Sequence, residues 1–128
     1  MVILDTNIII DHVRRKDSRS YLERLVETVS EKDCALSVIS IQELYEGSST
    51  RDTAKENYLL TTISPLTIVS YTYDIAQRAG KIARDIKRPI ALADAAIAAT
   101  AIIHESVLVT LNKKDFSNIP GLELYKLI

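Results

Sequence analysis

Four acidic residues, each in a different segment, are the side chains best suited to chemistry in this sequence. Asp5 directly follows an apolar run, Glu43 and Asp115 come after two others, and Asp94 lies among alanine, leucine and isoleucine. A buried carboxylate without a partner is costly or shifts its pKa toward neutrality, so a cation explains Asp94 best. Crowded carboxylates also repel one another unless a cation neutralises them. The four acids therefore predict a site for one or two hard divalent cations, Mg²⁺ or Mn²⁺, of the kind that serves phosphoryl chemistry.

Each acid also has an ordinary structural interpretation. Asp5 can cap the helix that follows it, and Glu43 has the spacing of a capping box with Ser40. Asp94 can pair with a hidden arginine, and Asp115 can be a solvated loop residue. The expectation that all four meet at one end of one sheet favours the metal site over these interpretations.

Short apolar runs that alternate with helical patterns must position these acids. Buried strands are predicted at 1–4, 34–39, 66–69 and 107–111, with a possible edge strand at 122–127. Helices are predicted after 5–7 with Thr6 or Asn7 as the cap, from Ser18 or Ser20 to about 29, from Ser40, and at 52–62, 73–88 and 90–103. The pattern predicts an α/β fold, a three-layer α/β/α sandwich with a mostly parallel central sheet of four to five strands, in one domain over 1–128. In such sheets ligands bind beyond the carboxyl ends of the strands.

Composition excludes several classes of protein. The 128 residues carry 16 Lys and Arg against 17 Asp and Glu, a net charge of -1, which excludes a polybasic nucleic-acid binder. The single Cys34 excludes an internal disulfide and a cysteine zinc site. No signal peptide is expected, and the longest apolar run, 90–103, is too short for a membrane span and contains Asp94. We therefore expect a protein of the reducing cytoplasm that does not bind a membrane.

The four acidic blocks together resemble those of PIN-domain ribonucleases. The sequence begins VILDTN at 2–7 and continues with SIQEL at 40–44, LADAAIA at 92–98, VTLN at 109–112 and KKDF at 113–116. Each block alone is weakly specific, but their order and spacing match the family over essentially the whole chain. The compact size and the IPGL segment at 119–122 resemble the VapC-like toxin branch.

The resemblance implies a metal-dependent endoribonuclease with Asp5, Glu43 and Asp94 as the core ligand set. Asp115 is carried over as the fourth acid, although some PIN proteins have theirs where Asn112 stands, so Asn112 is assigned as a polar helper. In the implied hydrolysis of an RNA phosphodiester, Asp5, Asp94 and Asp115 hold the ion. Glu43 is a further ligand or the base for the attacking water. Three supporting residues orient ligands or phosphate: Thr6, Asn7 and Thr110.

Two basic clusters are candidate contacts for RNA phosphates, with a solvated helix face as the alternative. One is the polar face of the helix at 73–88, and the other lies at 14–19 near Asp5. The candidate RNA-binding residues are Arg14, Arg15, Arg78, Lys81 and Arg84.

The resemblance also implies a small antitoxin partner and a homodimer. Apolar candidates for such contacts on the early helices, with core packing as the alternative, are Ile9, Tyr45, Leu59 and Leu60. Two other functions stay open: an RNA-processing PIN nuclease without an antitoxin, and a PIN-fold module that binds RNA or protein without cutting. An aspartyl-phosphate phosphatase is disfavoured because Asn7 occupies the place of its second aspartate. The RNA substrate, the cleavage sequence and the number of ions are not determined by the sequence.

Overall fold

Four short strands of mostly aliphatic residues pair into one parallel sheet in the computed structural model, which describes residues 1–126. They are β1 (Val2–Leu4), β2 (Cys34–Ser37), β3 (Thr67–Val69) and β4 (Val107–Val109). Their spatial order is β3-β2-β1-β4, and Ile3 lies between Ala35 and Leu108 in the register. Parallel strands need long crossover connections, which the helices supply.

Six α-helices form the outer layers within the described residues. They are α1 (Thr6–Arg14), α2 (Tyr21–Leu25), α3 (Val38–Glu46), α4 (Thr53–Ile63), α5 (Tyr73–Asp85) and α6 (Leu92–Ile103). Short 3₁₀ turns lie at Glu31–Asp33, Ser48–Arg51 and Lys113–Phe116. We refer to Lys113–Phe116, which carries Asp115, as the Asp115 turn.

Both faces of the sheet are buried. Alternate strand residues point to opposite faces, so Ile3 packs with α5 and α6 while Val2 and Leu4 pack with α1, α2 and α4. Continuous apolar strands are what such two-sided burial requires. The predicted three-layer α/β/α sandwich is therefore confirmed.

The segment predicted as an edge strand contributes one bridge. Leu124 pairs in parallel with Leu108, whose N–H donates to the Glu123 carbonyl at 2.9 Å and whose carbonyl accepts from Tyr125 N–H at 2.8 Å. The last residue of that prediction, at 127, lies outside the described residues.

Several predicted boundaries near the acids are wrong. Strand β2 ends at Ser37 instead of 39, and the Ser37 hydroxyl accepts the Ile39 N–H at 3.1 Å, so Ser37 caps α3. Ser40 lies inside α3 and forms no capping box, which places Glu43 in the second turn of the helix. The cap of α1 is Asp5, as its structural interpretation expected, and not Thr6 or Asn7, the other predicted caps.

Three other helix ends also differ from the predictions. Helix α2 stops at Leu25 instead of near 29, and α5 stops at Asp85 instead of 88. The residue before Pro89 is kept out of the helical conformation, and Arg88 hydrogen-bonds to a different segment. Helix α6 begins at Leu92, which is 84% exposed, so Asp94 belongs to a first turn and not to a buried helix centre.

Exposure divides the predicted apolar contact residues. Ile9 and Leu59 are buried core residues, whereas Tyr45 and Leu60 are each more than 40% exposed.

Across 1–126, no helix has the length and apolar character to cross a membrane.

Candidate active site

Asp5 is held at the junction of β1 and α1. Its Oδ1 accepts the Thr6 N–H at 2.8 Å and its Oδ2 accepts the Thr110 hydroxyl at 2.8 Å. The side chain is 6% exposed. Asp5 thus caps α1, and the same hydrogen bond holds its carboxylate at the carboxyl edge of the sheet, where a ligand site is expected.

Glu43 is positioned by a chain of hydroxyl groups. The Thr6 hydroxyl donates to Glu43 Oε1 at 2.6 Å and lies 2.8 Å from the Ser40 Oγ. Because Thr6 has one hydroxyl proton and an ionised carboxylate only accepts, Ser40 must donate to Thr6. Thr6 therefore connects the helix that Asp5 caps to the helix that carries Glu43, and leaves Glu43 Oε2 free of protein hydrogen bonds among the described residues.

Asp94 and Asp115 complete the group from the other side. Asp94 is half-buried in the first turn of α6, which packs against both α3 and the Asp115 turn. The exposed Asp115 accepts the Asn112 amide at Oδ2, at 2.6 Å. Arg88 Nη2 donates to the carbonyl of Asp115 at 3.0 Å and to that of Ser117 at 2.9 Å.

The pKa values of Asp5 and Asp94 are raised. Burial raises the pKa of Asp5 to about 6, and the negative charges of Asp94 and Glu43 add to this against the opposing Thr110 and Thr6 hydrogen bonds. Burial also raises the pKa of Asp94, with further contributions from Asp115 and Glu43, while Arg88 opposes the shift. These electrostatic effects link Asp5 with Asp94 and Glu43, and Asp94 with Glu43 and Asp115.

The donor chemistry fits a hard divalent cation. All four side chains offer oxygen, and the pKa values of Asp5 and Asp94 are raised first by burial and then by the neighbouring negative charges, both of which a bound cation would offset. In residues 1–126, no three Asp, Glu, His or Cys side chains already stand as a ligating cluster.

The family of the chain follows from comparison with known proteins. Residues 2–122 match the family profile described as PIN domain. The chain belongs to the PIN domain family.

Similar proteins place this PIN domain among VapC-like members. It is 33% identical over 121 residues to Ribonuclease VapC10 of Mycobacterium tuberculosis, covering 91% of this chain and 86% of that protein. It is 32% identical over 127 residues to Ribonuclease VapC19 of the same organism, covering 96% and 98%.

Solved structures agree. A DNA-bound VapBC from Salmonella typhimurium superposes with a TM-score of 0.85 at 25% identity, covering 97% of this chain and 96% of the other. A toxin-antitoxin complex from Klebsiella pneumoniae gives 0.77 at 30% identity, covering 99% and 100%. The predicted resemblance to VapC-like PIN domains is confirmed.

Three of the predicted supporting residues, Asn7, Thr110 and Asn112, form one polar network beside Asp5 in this PIN domain. Thr110 Oγ1 accepts the Asn112 N–H at 3.0 Å, and the Asn7 amide approaches it at 3.5 Å. Asn7 Oδ1 also accepts the Leu111 N–H at 3.3 Å. This network holds the segment after β4 against the start of α1, so that Asp5 and the Asp115 turn keep a fixed relation.

Two residues that contact the candidate site were not assigned to it from the sequence. Ser40 was interpreted as a helix cap, and Arg88 as part of a basic helix face. Nothing in the local sequence around Ser40 indicates this contact, because it joins Ser40 to Thr6, 34 positions away. For Arg88 the sequence does contain an indication, because a residue that precedes a proline is disfavoured in a helix.

The structure divides the candidate RNA-binding residues of this PIN domain. Arg15 pairs with Asp11 at 2.8 Å, and Arg84 makes two hydrogen bonds with Asp85 at 2.7 and 2.9 Å. Arg14 lines a groove with Glu43. Arg78 and Lys81 line a different cleft, near the end of α5.

Proposed function

We propose that this PIN domain is a metal-dependent endoribonuclease that hydrolyses RNA phosphodiester bonds and acts as the toxin of a toxin–antitoxin pair. The observation that supports the proposal is that Asp5 and Asp94, which come from different segments, both have a raised pKa to which other acids of the four contribute after burial. Neither a binding module nor a structural protein needs such mutual repulsion. The ribonuclease relatives support the choice of RNA as substrate.

Asp5, Asp94 and Asp115 would hold Mg²⁺ or Mn²⁺, as one or two ions. When bound, the ion supplies positive charge that polarises the phosphate and lowers the pKa of water. Thr6 fixes Glu43 by one oxygen, so that the other is available to accept a proton from an attacking water. Thr110 keeps Asp5 in position, and Asn112 does the same for Asp115.

Cleavage of an RNA transcript in Mg²⁺ or Mn²⁺ by four proteins tests this proposal. We expect Asp5→Asn and Asp94→Asn to lose at least about 100-fold in rate, because each removes a charge that the ion requires. Chelation of the metal should abolish wild-type cleavage. Asp33→Asn is the matched control, since Asp33 is exposed and lies before β2, at the opposite edge of the sheet. Cleavage by Asp94→Asn at the wild-type rate would refute the proposal.

The antitoxin partner is proposed to bind the groove between α1, α3 and α4. This groove of about 580 Å³ is lined by apolar side chains together with Arg14, Lys16 and Lys55, and Glu43 also lines it. A partner segment there would reach the proposed site, which accounts for how an antitoxin silences a toxin. The apolar lining residues are Ile10, Val13, Leu44, Ala54, Tyr58 and Leu59.

A homodimer is proposed through the exposed apolar residues, among them Tyr45 and Leu60. Sedimentation of the purified protein, with and without Leu60→Gln, tests it, and a monomer in both would exclude it.

The free thiol of Cys34 agrees with the proposed cytoplasmic location.

An RNA-processing nuclease without an antitoxin is distinguished by expression alone. A toxin should arrest growth on induction, and Asp5→Asn should not. Sequencing of RNA ends in the two cultures would also identify the substrate. Wild-type cleavage without growth arrest would favour the processing role.

A further inference from the structure

We propose that the cleft between the end of α5 and residues 118–120 is a subsite for the phosphate backbone of single-stranded RNA, next to the bond that is cleaved. The inference rests on the proposed endoribonuclease function and names the part of the surface that holds the substrate. We call it the α5 cleft.

The charges of the α5 cleft favour an anion. The cleft has a volume of about 590 Å³, and Asp85 is the one acid in its wall. Both oxygens of Asp85 accept hydrogen bonds from Arg84, which does not line the cleft, so this negative charge is neutralised from outside. The basic residues that line it are Arg78, Lys81, Lys87 and Arg88. A protein with a net charge of -1 thus concentrates four cations on one concave surface.

Arg88 connects the α5 cleft to the acidic site. Its guanidinium donates to the carbonyls of Asp115 and Ser117, so one wall of the cleft is also the support of the Asp115 turn. The Nε of Arg88 is buried and has no hydrogen-bond partner among residues 1–126. An RNA strand whose cleaved phosphate lies at the acids therefore has a cationic cleft beside it for a neighbouring phosphate.

The remaining walls suit a nucleotide better than a bare ion. Ile82, Ile86 and Pro120 offer apolar surface for a ribose or base, and Asn118 offers an amide group. Lysine and arginine side chains neutralise phosphates one by one, which makes binding of the nucleic acid strongly dependent on salt.

The binding experiment uses a labelled mixed-sequence oligoribonucleotide of about 12 nucleotides and the Asp94→Asn protein, which should bind without cutting. Lys81→Gln with Lys87→Gln should weaken binding about 10- to 50-fold at low salt and reduce the slope of log K against log salt by about 1.4. Lys32→Gln is the matched control, because Lys32 is exposed and precedes β2 at the opposite edge of the sheet. In the cleaving protein, the double substitution should raise KM and leave kcat unchanged.

The outcomes separate the α5 cleft from the proposed function. An unchanged salt slope and KM in the double variant, or an equal loss in Lys32→Gln, would overturn the cleft while metal-dependent cleavage stood. If the wild-type protein does not cleave RNA but binds it through Lys81 and Lys87, the proposed endoribonuclease function is refuted and the α5 cleft stands as an RNA-binding site. Competition by polyglutamate as strong as by RNA of equal charge would assign the cleft to an acidic protein segment instead.

Discussion

Replacing Asp5 by Asn should stabilise the metal-free protein at neutral pH while abolishing its activity. The carboxylate is buried next to other negative charges, and its pKa rises from 3.8 to about 6. Each pKa unit corresponds to about 1.36 kcal/mol, so the ionised Asp5 destabilises the fold by about 3 kcal/mol. The amide removes that charge but loses the hydrogen bond that Thr110 donates, which offsets about 1 kcal/mol. We expect a net gain of about 1 to 2 kcal/mol for Asp5→Asn at pH 8.

The pH dependence of this difference has a definite sign. Between about pH 4 and pH 6 the folded state holds the Asp5 proton more tightly than the unfolded state does, so wild-type stability falls as pH rises through this window. The variant lacks that titration. Its advantage should therefore be full above about pH 6, and below about pH 4 the variant should be less stable than wild type by about 1 kcal/mol, the contribution of the lost Thr110 hydrogen bond.

Chemical denaturation with a chelator present, at pH 8 and at the lowest pH where both proteins fold, measures the difference. A second series with Mn²⁺ should reverse the order, because a ligand that binds only the folded wild-type protein stabilises it. Asp33→Asn, at an exposed acid, should show neither effect. A variant no more stable than wild type at pH 8 without metal, or a gap that does not change with pH, would refute the reasoning.

Three further predictions concern the groups around the acids. Thr6→Val removes the donor to Glu43 and strands the Ser40 hydroxyl, so we expect a loss of about 1 to 2 kcal/mol in urea unfolding and a lower kcat; unchanged values would exclude the hydroxyl chain. Arg88→Met releases the two carbonyls of the Asp115 turn, so Mn²⁺ affinity by calorimetry should fall about 10-fold, and an affinity equal to wild type would show that the turn holds without Arg88. Burial raises the pKa of Cys34 to about 11, so its thiol should react with a disulfide reagent at pH 8 only after unfolding; rapid reaction in the native state would contradict its placement in β2.

The acids illustrate how far local patterns reach. Asp5 could be identified from the sequence because a polar residue directly after a buried strand lies at the carboxyl edge of the sheet, independently of the rest of the fold. Asp94 stands out because its neighbours are apolar, although its helix begins later than predicted and leaves it half-buried. The assignment of all four as ligands stays a prediction, supported by their mutual electrostatic effect.

The basic residues show where local patterns fail. In the sequence, Arg84 and Lys81 are equivalent members of one helix face, yet Arg84 is neutralised by Asp85 while Lys81 lines the α5 cleft. Arg88 was grouped with them and instead supports a turn 27 positions away. Periodicity assigns a residue to a face of a helix, but it does not identify which charges pair with one another.

By itself, the sequence determined the layers of this protein and predicted the edge of the sheet at which its acids lie. Apolar runs without polar alternation demand strands buried on both faces, and residues that follow such strands share one edge of the sheet. Only the tertiary structure decided that Ser40 serves Thr6 instead of a helix end, and that the cationic cleft adjoins the Asp115 turn. The physical reason is the range of the interactions: burial patterns and strand endings are local in the chain, whereas these hydrogen bonds join residues that only folding brings together.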